Sequence, residues 1–263
     1  MLRRMTHALR EQNWATIVVE FVLLVGGVFL GIQAANWNEA RRDQHRERAY
    51  LGRIAAELDE GVLKVQRSNA LTLERMALDQ LLIDSVTRPE LVRADPGYFI
   101  YAVTRGGYTF SPNVNGYTFD EIKSNGDLGI FKDPRLSLDL MTFYSGIQQK
   151  DQWSFLRSQS QFEYIRRSAG VLNAEQLALV PDASSRKIHT DDVEGTMAAY
   201  QRMLDRPEFL EWVPVTLDYR RTDLQYGQEI LNAAQDLRDR VRAELGQPPV
   251  PRDVAAPAPG VDK

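Results

Sequence analysis

The longest apolar stretch of the chain lies near its N-terminus, over residues 15–35. Within it, only Thr16, Glu20 and Gln33 are polar residues other than glycine. A helix of that length rises ~31 Å, because each residue adds ~1.5 Å, and this matches the ~30 Å hydrocarbon core of a bilayer. The pattern therefore predicts one transmembrane helix over residues 15–37, with the lipid bilayer as its partner.

Trp14 and Trp37 flank this stretch and are predicted interface anchors, since amphipathic indole rings favour the membrane interface. The preceding residues 1–14 form a short basic tail, which would also suit a cleaved secretory signal. The apolar run is longer than the ~7–15 residues of a typical signal, and Glu20 sits inside it. We therefore favour an uncleaved anchor over cleavage.

Arginines lie on both sides of the span, so the positive-inside rule is compatible with either orientation. Three precede it and four follow it closely: Arg3, Arg4, Arg10, Arg41, Arg42, Arg46 and Arg48. A short tail with three arginines is costly to translocate. We expect the N-terminus to stay in the cytoplasm and the bulk of the chain to lie on the periplasmic side, with a cytoplasmic domain as the alternative.

The span carries its own candidate chemistry. Gly27 and Gly31 form a G-x-x-x-G pattern, which favours close helix pairing and most simply a homodimer, although glycine is common in membrane helices. Glu20 is costly to bury in lipid. It is either a proton or partner site or a carboxylate that extends to the headgroups. Gln33 is placed to hydrogen-bond across a dimer near the far interface.

The span also resembles the signature of an uncharacterised family of bacterial single-pass membrane proteins. The resemblance rests on Glu20, Gly27, Gln33 and the run N-W-N-E at residues 36–39. Gly31 and Ala35 depart from the usual family residues, Ala and Asn. A second similarity covers residues 117–144, which include T-F-D-E-I-K-S-N-G-D-L. The resemblance implies a single-pass protein of the bacterial inner membrane and no particular activity.

The remaining chain reads as helical, with no run of alternating strand residues, and predicts a helical domain over residues 38–246. Its first part, residues 38–68, has a heptad seam of about two repeats, which indicates either a short dimer stalk or packing on later helices. The seam comprises Leu51, Ala55, Leu58, Val62 and Val65. A separate helix is expected over residues 70–86. The predicted fold class is therefore all-α, with an N-terminal transmembrane helix followed by a helical-bundle domain.

Several later helix starts are predicted from capping residues. They are Asp95 before Pro96, Thr118 with Glu121, Asp133 before Pro134, Asn173 with Gln176, and Asp191 with Glu194. One long helix is expected over residues 133–168. A last helical region begins at Pro207 and is broken or kinked at Pro214. Residues 247–263 are rich in proline and alanine and are expected to be disordered.

Aromatic residues cluster between residues 108 and 131 and suggest a ligand groove or, alternatively, core packing beneath a loop. The candidate groove residues are Tyr108, Phe110, Tyr117 and Phe119.

Composition and motifs argue against several classes of function. The chain has no cysteine and a net charge of −4, which argues against thiolate chemistry and against phosphate-driven nucleic-acid binding. No zinc, P-loop, Rossmann or nucleophile-elbow motif is present. His189 with Asp191 and Asp192 is either a weak metal cluster or a helix cap. The charge run at residues 218–223 is typical of a solvated face.

We therefore predict no catalytic residue, cofactor or metal. The leading hypothesis is a membrane-anchored, non-enzymatic scaffold or accessory protein with an unknown protein partner. The second is a sensor-type extracytoplasmic ligand-binding domain, and an enzyme comes third.

Overall fold

The computed structural model describes residues 14–109, 114–151, 154–180 and 188–252, without the side chains of residues 14–17 and 148–157. This part of the chain is all-α and contains no strand. The helices are α1 Trp14–Ser85, α2 Glu90–Ala94, α3 Pro96–Arg105, α4 Tyr117–Asn125, α5 Pro134–Asp151, α6 Ser154–Ser168, α7 Ala174–Ala178, α8 Val193–Leu204, α9 Pro207–Leu210 and α10 Trp212–Glu244. A 3₁₀ turn, Asp127–Ile130, follows α4.

Helix α1 is one unbroken helix of 72 residues, about 108 Å long at ~1.5 Å per residue. The predicted break after Ser68 is therefore wrong. Proline is absent from α1, and the hydroxyl of Thr72 donates to the carbonyl of Ser68 at 3.0 Å, so this polar residue is satisfied within the helix. The polar residues Asn69 and Thr72 therefore end the apolar seam without ending the helix.

The heptad seam of α1 is buried against the chain's own last helix. Helix α10 runs antiparallel to α1, since Asp79 meets Arg220 near the start of α10 and Asp59 meets Arg242 near its end. The seam and its partners form one core: Leu51, Ala55, Leu58, Val62 and Val65 of α1 with Ile230, Leu231, Ala234, Leu237 and Val241 of α10. The seam packs on later helices, the alternative to a dimer stalk.

Helices α4 and α5 close over this first core, which lies nearer the exposed N-terminal part of α1. Phe119 of α4 stacks on Tyr144 of α5, with ring centroids 4.9 Å apart. A second core lies around the far end of α1. It is built from Leu78 and Leu82 with residues of the smaller helices, chiefly Phe99, Ile100, Tyr164, Tyr200, Met203 and Phe209.

The helix starts follow capping chemistry in most places. The carboxylate of Asp95 accepts from the amide of Tyr98 at 2.8 Å, and Asn173 with Gln176 forms a complete capping box. The Thr118 prediction is wrong, because Gly116 precedes α4 and the Thr118 hydroxyl instead donates to Glu57 at 2.6 Å. Asp192, one residue after the predicted Asp191, caps α8 by accepting from Gly195.

Two long-helix predictions also change. The single helix expected over residues 133–168 is described as α5 and α6, with residues 152–153 outside the description. The helical region that begins at Pro207 is broken at Glu211, between α9 and α10, three residues before the predicted Pro214. Pro214 itself lies in the first turn of α10, where backbone amides have no helical partner.

A pair of glycines tests how closely α1 and α10 approach. A Cβ added to Gly227 on α10 would clash with Oδ1 of Asn69 on α1, whereas one added to Gly52 meets open space. Gly52→Ala should stabilise the protein by ~0.5–1 kcal/mol. Gly227→Ala should instead destabilise it by ~1–3 kcal/mol, because overpacking outweighs the same helix-propensity gain. Chemical denaturation measures both.

Asn69→Ala supplies the control for this prediction. In that background the steric conflict is gone, so Gly227→Ala should become neutral or stabilising. A Gly227→Ala variant as stable as Gly52→Ala in the native background would contradict the close approach.

Candidate functional site

The N-terminal part of α1 is covered by no other part of the described chain. Its most apolar window has a mean hydropathy of 2.1 and no buried residue, and the Leu24 and Leu30 side chains are each 68% exposed. This helix is long and apolar enough to cross a membrane. A continuous apolar surface of this size marks an interaction site with lipid or protein, because water disfavours it.

The helix brings three of the predicted span residues onto one face. Residues advance by about 100° around a helix, so Glu20, Gly27 and Gly31 fall within ~20° of a common line. An added Cβ at either glycine meets no protein atom within 4 Å, so the face is open. Gln33 lies ~140° away around the helix, so it is not on the face that carries the two glycines.

The predicted interface anchors mark the ends of this segment. Trp14 is the first residue of α1, and its side chain lies outside the described part. Trp37 is 68% exposed, with the Arg41 guanidinium 5.8 Å from its ring centroid. The first buried residue after it is Glu47, ten residues further on, or ~15 Å along the helix.

A buried polar layer separates the two cores. We use this name for Asn69, Thr72, Arg75 and Asp79 of α1 with Thr216 and Arg220 of α10, all of which are buried. At its centre, Arg220 Nε donates to Asp79 Oδ2 at 2.6 Å. Arg220 Nη1 also donates to the Tyr108 carbonyl at 2.9 Å, which ties the chain after α3 to this layer. The ion pair thus joins three segments that are far apart in sequence.

The charges in this layer have little access to solvent. Asp79 is 0% exposed and Arg220 is 2% exposed. Burial raises the pKa of Asp79 to about 6, although hydrogen bonding and the charges of Arg220 and Arg75 act to lower it. The direction of this shift means that burial costs more than the pairing returns, as is common for buried ion pairs. Because sliding of one helix along the other would leave both buried charges unpaired, we infer that the pair sets the register of α1 against α10.

Sequence reasoning missed this pair. The run at residues 218–223 was expected to be a solvated face, but Arg220 points inward while Asp218 and Arg221 are exposed. The sequence of α1 does indicate the pair, because Arg75 and Asp79 lie four residues apart beside Leu78 and Leu82. Polar residues on an otherwise apolar helix face indicate a buried pair.

The described surface of the helical domain carries two clefts of about 480 Å³ and about 490 Å³. The first, the α3–α6 cleft, has a volume of about 480 Å³. Tyr108, Arg105, Tyr164, Ile165, Gly170 and Leu177 are among its lining residues. It touches the polar layer through Tyr108, whose carbonyl is held by Arg220. Its volume falls within the range of small-molecule sites.

The second, the α5–α10 cleft, has a volume of about 490 Å³. Its apolar lining residues include Phe143, Ile147, Ile230, Ala233 and Leu237. Asp139, Glu229, Asp236 and Arg240 also line it. Helical packing brings these residues together from two separate segments.

The predicted groove aromatics occupy different environments. Tyr108 lines the α3–α6 cleft, Phe119 is buried in the first core, and Tyr117 is 71% exposed. Phe110 lies outside the described residues. Of the three described residues, Tyr108 alone is a lining residue of the two clefts.

The predicted metal candidate has a structural role. Asp192 caps α8, and its backbone amide donates to the Thr190 hydroxyl at 3.2 Å, so this segment follows the capping alternative. Within the described ranges, no group of three or more His, Asp or Glu side chains is arranged to hold a metal ion.

Comparisons with family models, with curated proteins and with solved structures find no match to this chain.

Replacing the buried pair tests its assigned role. Asp79→Ala should destabilise the protein by ~3–5 kcal/mol, because it leaves the Arg220 charge buried without its partner. Asp79→Leu combined with Arg220→Met should recover most of that loss, since both charges are removed and the volume is kept. Chemical denaturation of the three proteins measures the difference. A double variant as unstable as Asp79→Ala would contradict this role, because the loss would then not arise from an Arg220 charge left without its partner.

Proposed function

We propose that this chain is a single-pass membrane protein of the bacterial inner membrane, of the uncharacterised family that its span resembles. Its helical domain acts outside the cytoplasm through interactions and not through catalysis. The observation that carries this proposal is the apolar, uncovered N-terminal part of α1, which continues without a break into the core of the domain.

Lipid is the partner that best satisfies this surface. Covering a large apolar side chain is worth ~1.5–3 kcal/mol, and the uncovered segment carries many such side chains. They include Val18, Phe21, Val22, Leu23, Leu24, Val28, Phe29, Leu30 and Ile32. The exposed stretch between Trp37 and Glu47 then spans the headgroup region and holds the domain close to the membrane.

An interaction role follows from how α1 is used. The same helix forms the anchor and the central element of both cores, so the domain is joined to the membrane by a continuous helix and not by a linker. Such a domain is suited to hold its clefts at a set height above the bilayer for an unknown protein partner. Net negative charge argues against nucleic acid as that partner.

Paired arginine variants test the anchor. Leu23→Arg with Leu24→Arg should move the protein from the membrane fraction to the soluble fraction, because each central arginine adds ~2.5–3.5 kcal/mol to insertion. Leu63→Arg with Leu73→Arg is the matched control, since these two leucines are about half exposed on the domain part of α1. Carbonate extraction measures the partition.

Sidedness is measured on the same protein with reporters fused after Lys263. We expect an active periplasmic reporter and an inactive cytoplasmic one. The reverse result would overturn the proposed orientation while leaving the anchor intact.

Helix pairing is the second element of the proposal. The face that bears Glu20, Gly27 and Gly31 suits close approach of an identical helix. Gly27→Ile with Gly31→Ile should weaken self-association at least about fivefold in a membrane-mimetic assay, because the added side chains keep the backbones apart. Val25→Ile with Phe29→Ile, at the same spacing on the opposite face, should leave it unchanged. Equal association of both variants would exclude this face.

A sensor-type ligand-binding domain is the alternative, and the α3–α6 cleft favours it. A ligand there would contact Tyr108, whose carbonyl is hydrogen-bonded to Arg220 in the layer between the two cores. A true ligand should raise the melting temperature of the full chain, and Leu177→Arg in the cleft should abolish that shift. A metabolite panel without any shift would count against this function.

A further inference from the structure

The chain reverses direction at the end of α10 and packs back along it. Gly246 adopts φ +71°, and the amide of Gln247 donates to the carbonyl of Arg242 at 2.8 Å. Farther on, the buried Arg238 side chain donates to the carbonyl of Val250. The expectation that all residues from Gln247 are disordered therefore differs from the structure over residues 247–252.

The returning segment, residues 247–252, passes around α10 and ends near the α5–α10 cleft. Its first contacts are with Arg242 and Arg238, on one face of the helix. Its last are ion pairs of Arg252 with Asp236 at 2.7 Å and with Asp239 at 3.4 Å. Asp236 itself lines the cleft, so the described chain ends at the edge of this opening.

The residues that follow Arg252 have suitable chemistry and length. Residues 254–259 read V-A-A-P-A-P, a small apolar segment that favours the polyproline II conformation. Six such residues extend ~19 Å at ~3.1 Å each. The cleft follows α10 from Glu229 to Arg240, ~17 Å at ~1.5 Å per residue. Extended Pro-rich segments bind grooves lined by aromatic side chains, and Phe143 is an aromatic lining residue of this cleft.

We propose that residues 253–259 bind in the α5–α10 cleft of the same chain, positioned by the ion pairs of Arg252. Because the segment is covalently attached at the cleft edge, its effective concentration there is in the millimolar range. A weak apolar contact is therefore enough to fill the cleft. A partner that uses this cleft has to displace the segment.

Disulfide trapping in the full chain tests this proposal, since the natural sequence has no cysteine. Ala233→Cys places a thiol in the cleft and Ala256→Cys places one in the segment. Mild oxidation should link the two within one monomer. The control pair is Leu63→Cys with Ala256→Cys, because Leu63 is half exposed on α1 and lies outside the cleft. It should link at least about tenfold more slowly.

Arg252→Ala should slow the link in the cleft pair severalfold and leave the control pair unchanged. Equal rates for the two cysteine pairs would overturn the proposal. A disulfide-linked dimer from the cleft pair would also overturn it and would assign the cleft to the segment of a second copy. Both outcomes are independent of whether the protein spans a membrane, because the cleft and the segment belong to the helical domain.

Discussion

The antiparallel contact between α1 and α10 is the interaction on which the rest of the domain depends. Both helices contribute to the two cores, and most of the smaller helices pack against this pair. The buried polar layer interrupts the apolar seam once, where Asp79 meets Arg220. An apolar seam alone tolerates sliding between helices, whereas a buried pair that leaves charges unpaired when displaced favours one register. The close approach of Asn69 and Gly227 lies in the same region.

Helix α1 has two environments in this structure. From Glu47 onward, α1 buries most of its apolar side chains against other helices, whereas its part before Trp37 has no cover from the described chain. The nine residues between them, 38–46, include no buried residue and continue the helix, so no flexible linker separates the two parts. Motion or rotation of the anchor would therefore reach the seam with α10 directly. This gives the proposed scaffold a fixed height above the bilayer, and it gives the alternative sensor a direct mechanical connection.

The candidate sites differ in how far the sequence predicts them. The proposed anchor is a local feature of one helix, so helical periodicity alone places Glu20, Gly27 and Gly31 on a common face. The clefts are not local, because each combines residues from separate helices. Tyr108 and Phe119 show the difference: both belong to one aromatic-rich segment, yet one lines a cleft and the other is buried in a core. Arg220 shows it again, since its neighbours in sequence are exposed.

The sequence by itself determined the all-α class, the long apolar helix, the heptad seam and several helix starts, including Asp95 and Asn173. These depend on periodicity and capping within a few residues, where backbone geometry alone decides the outcome. Only the tertiary structure decided that α1 continues through Asn69, that the seam packs on α10, and that residues 247–252 return along that helix. The last two features depend on contacts between residues far apart in the chain, such as Asp59 with Arg242, 183 residues away, and Arg252 with Asp236, 16 residues away. Local patterns contain no information about which partner a buried face or a charged side chain will meet.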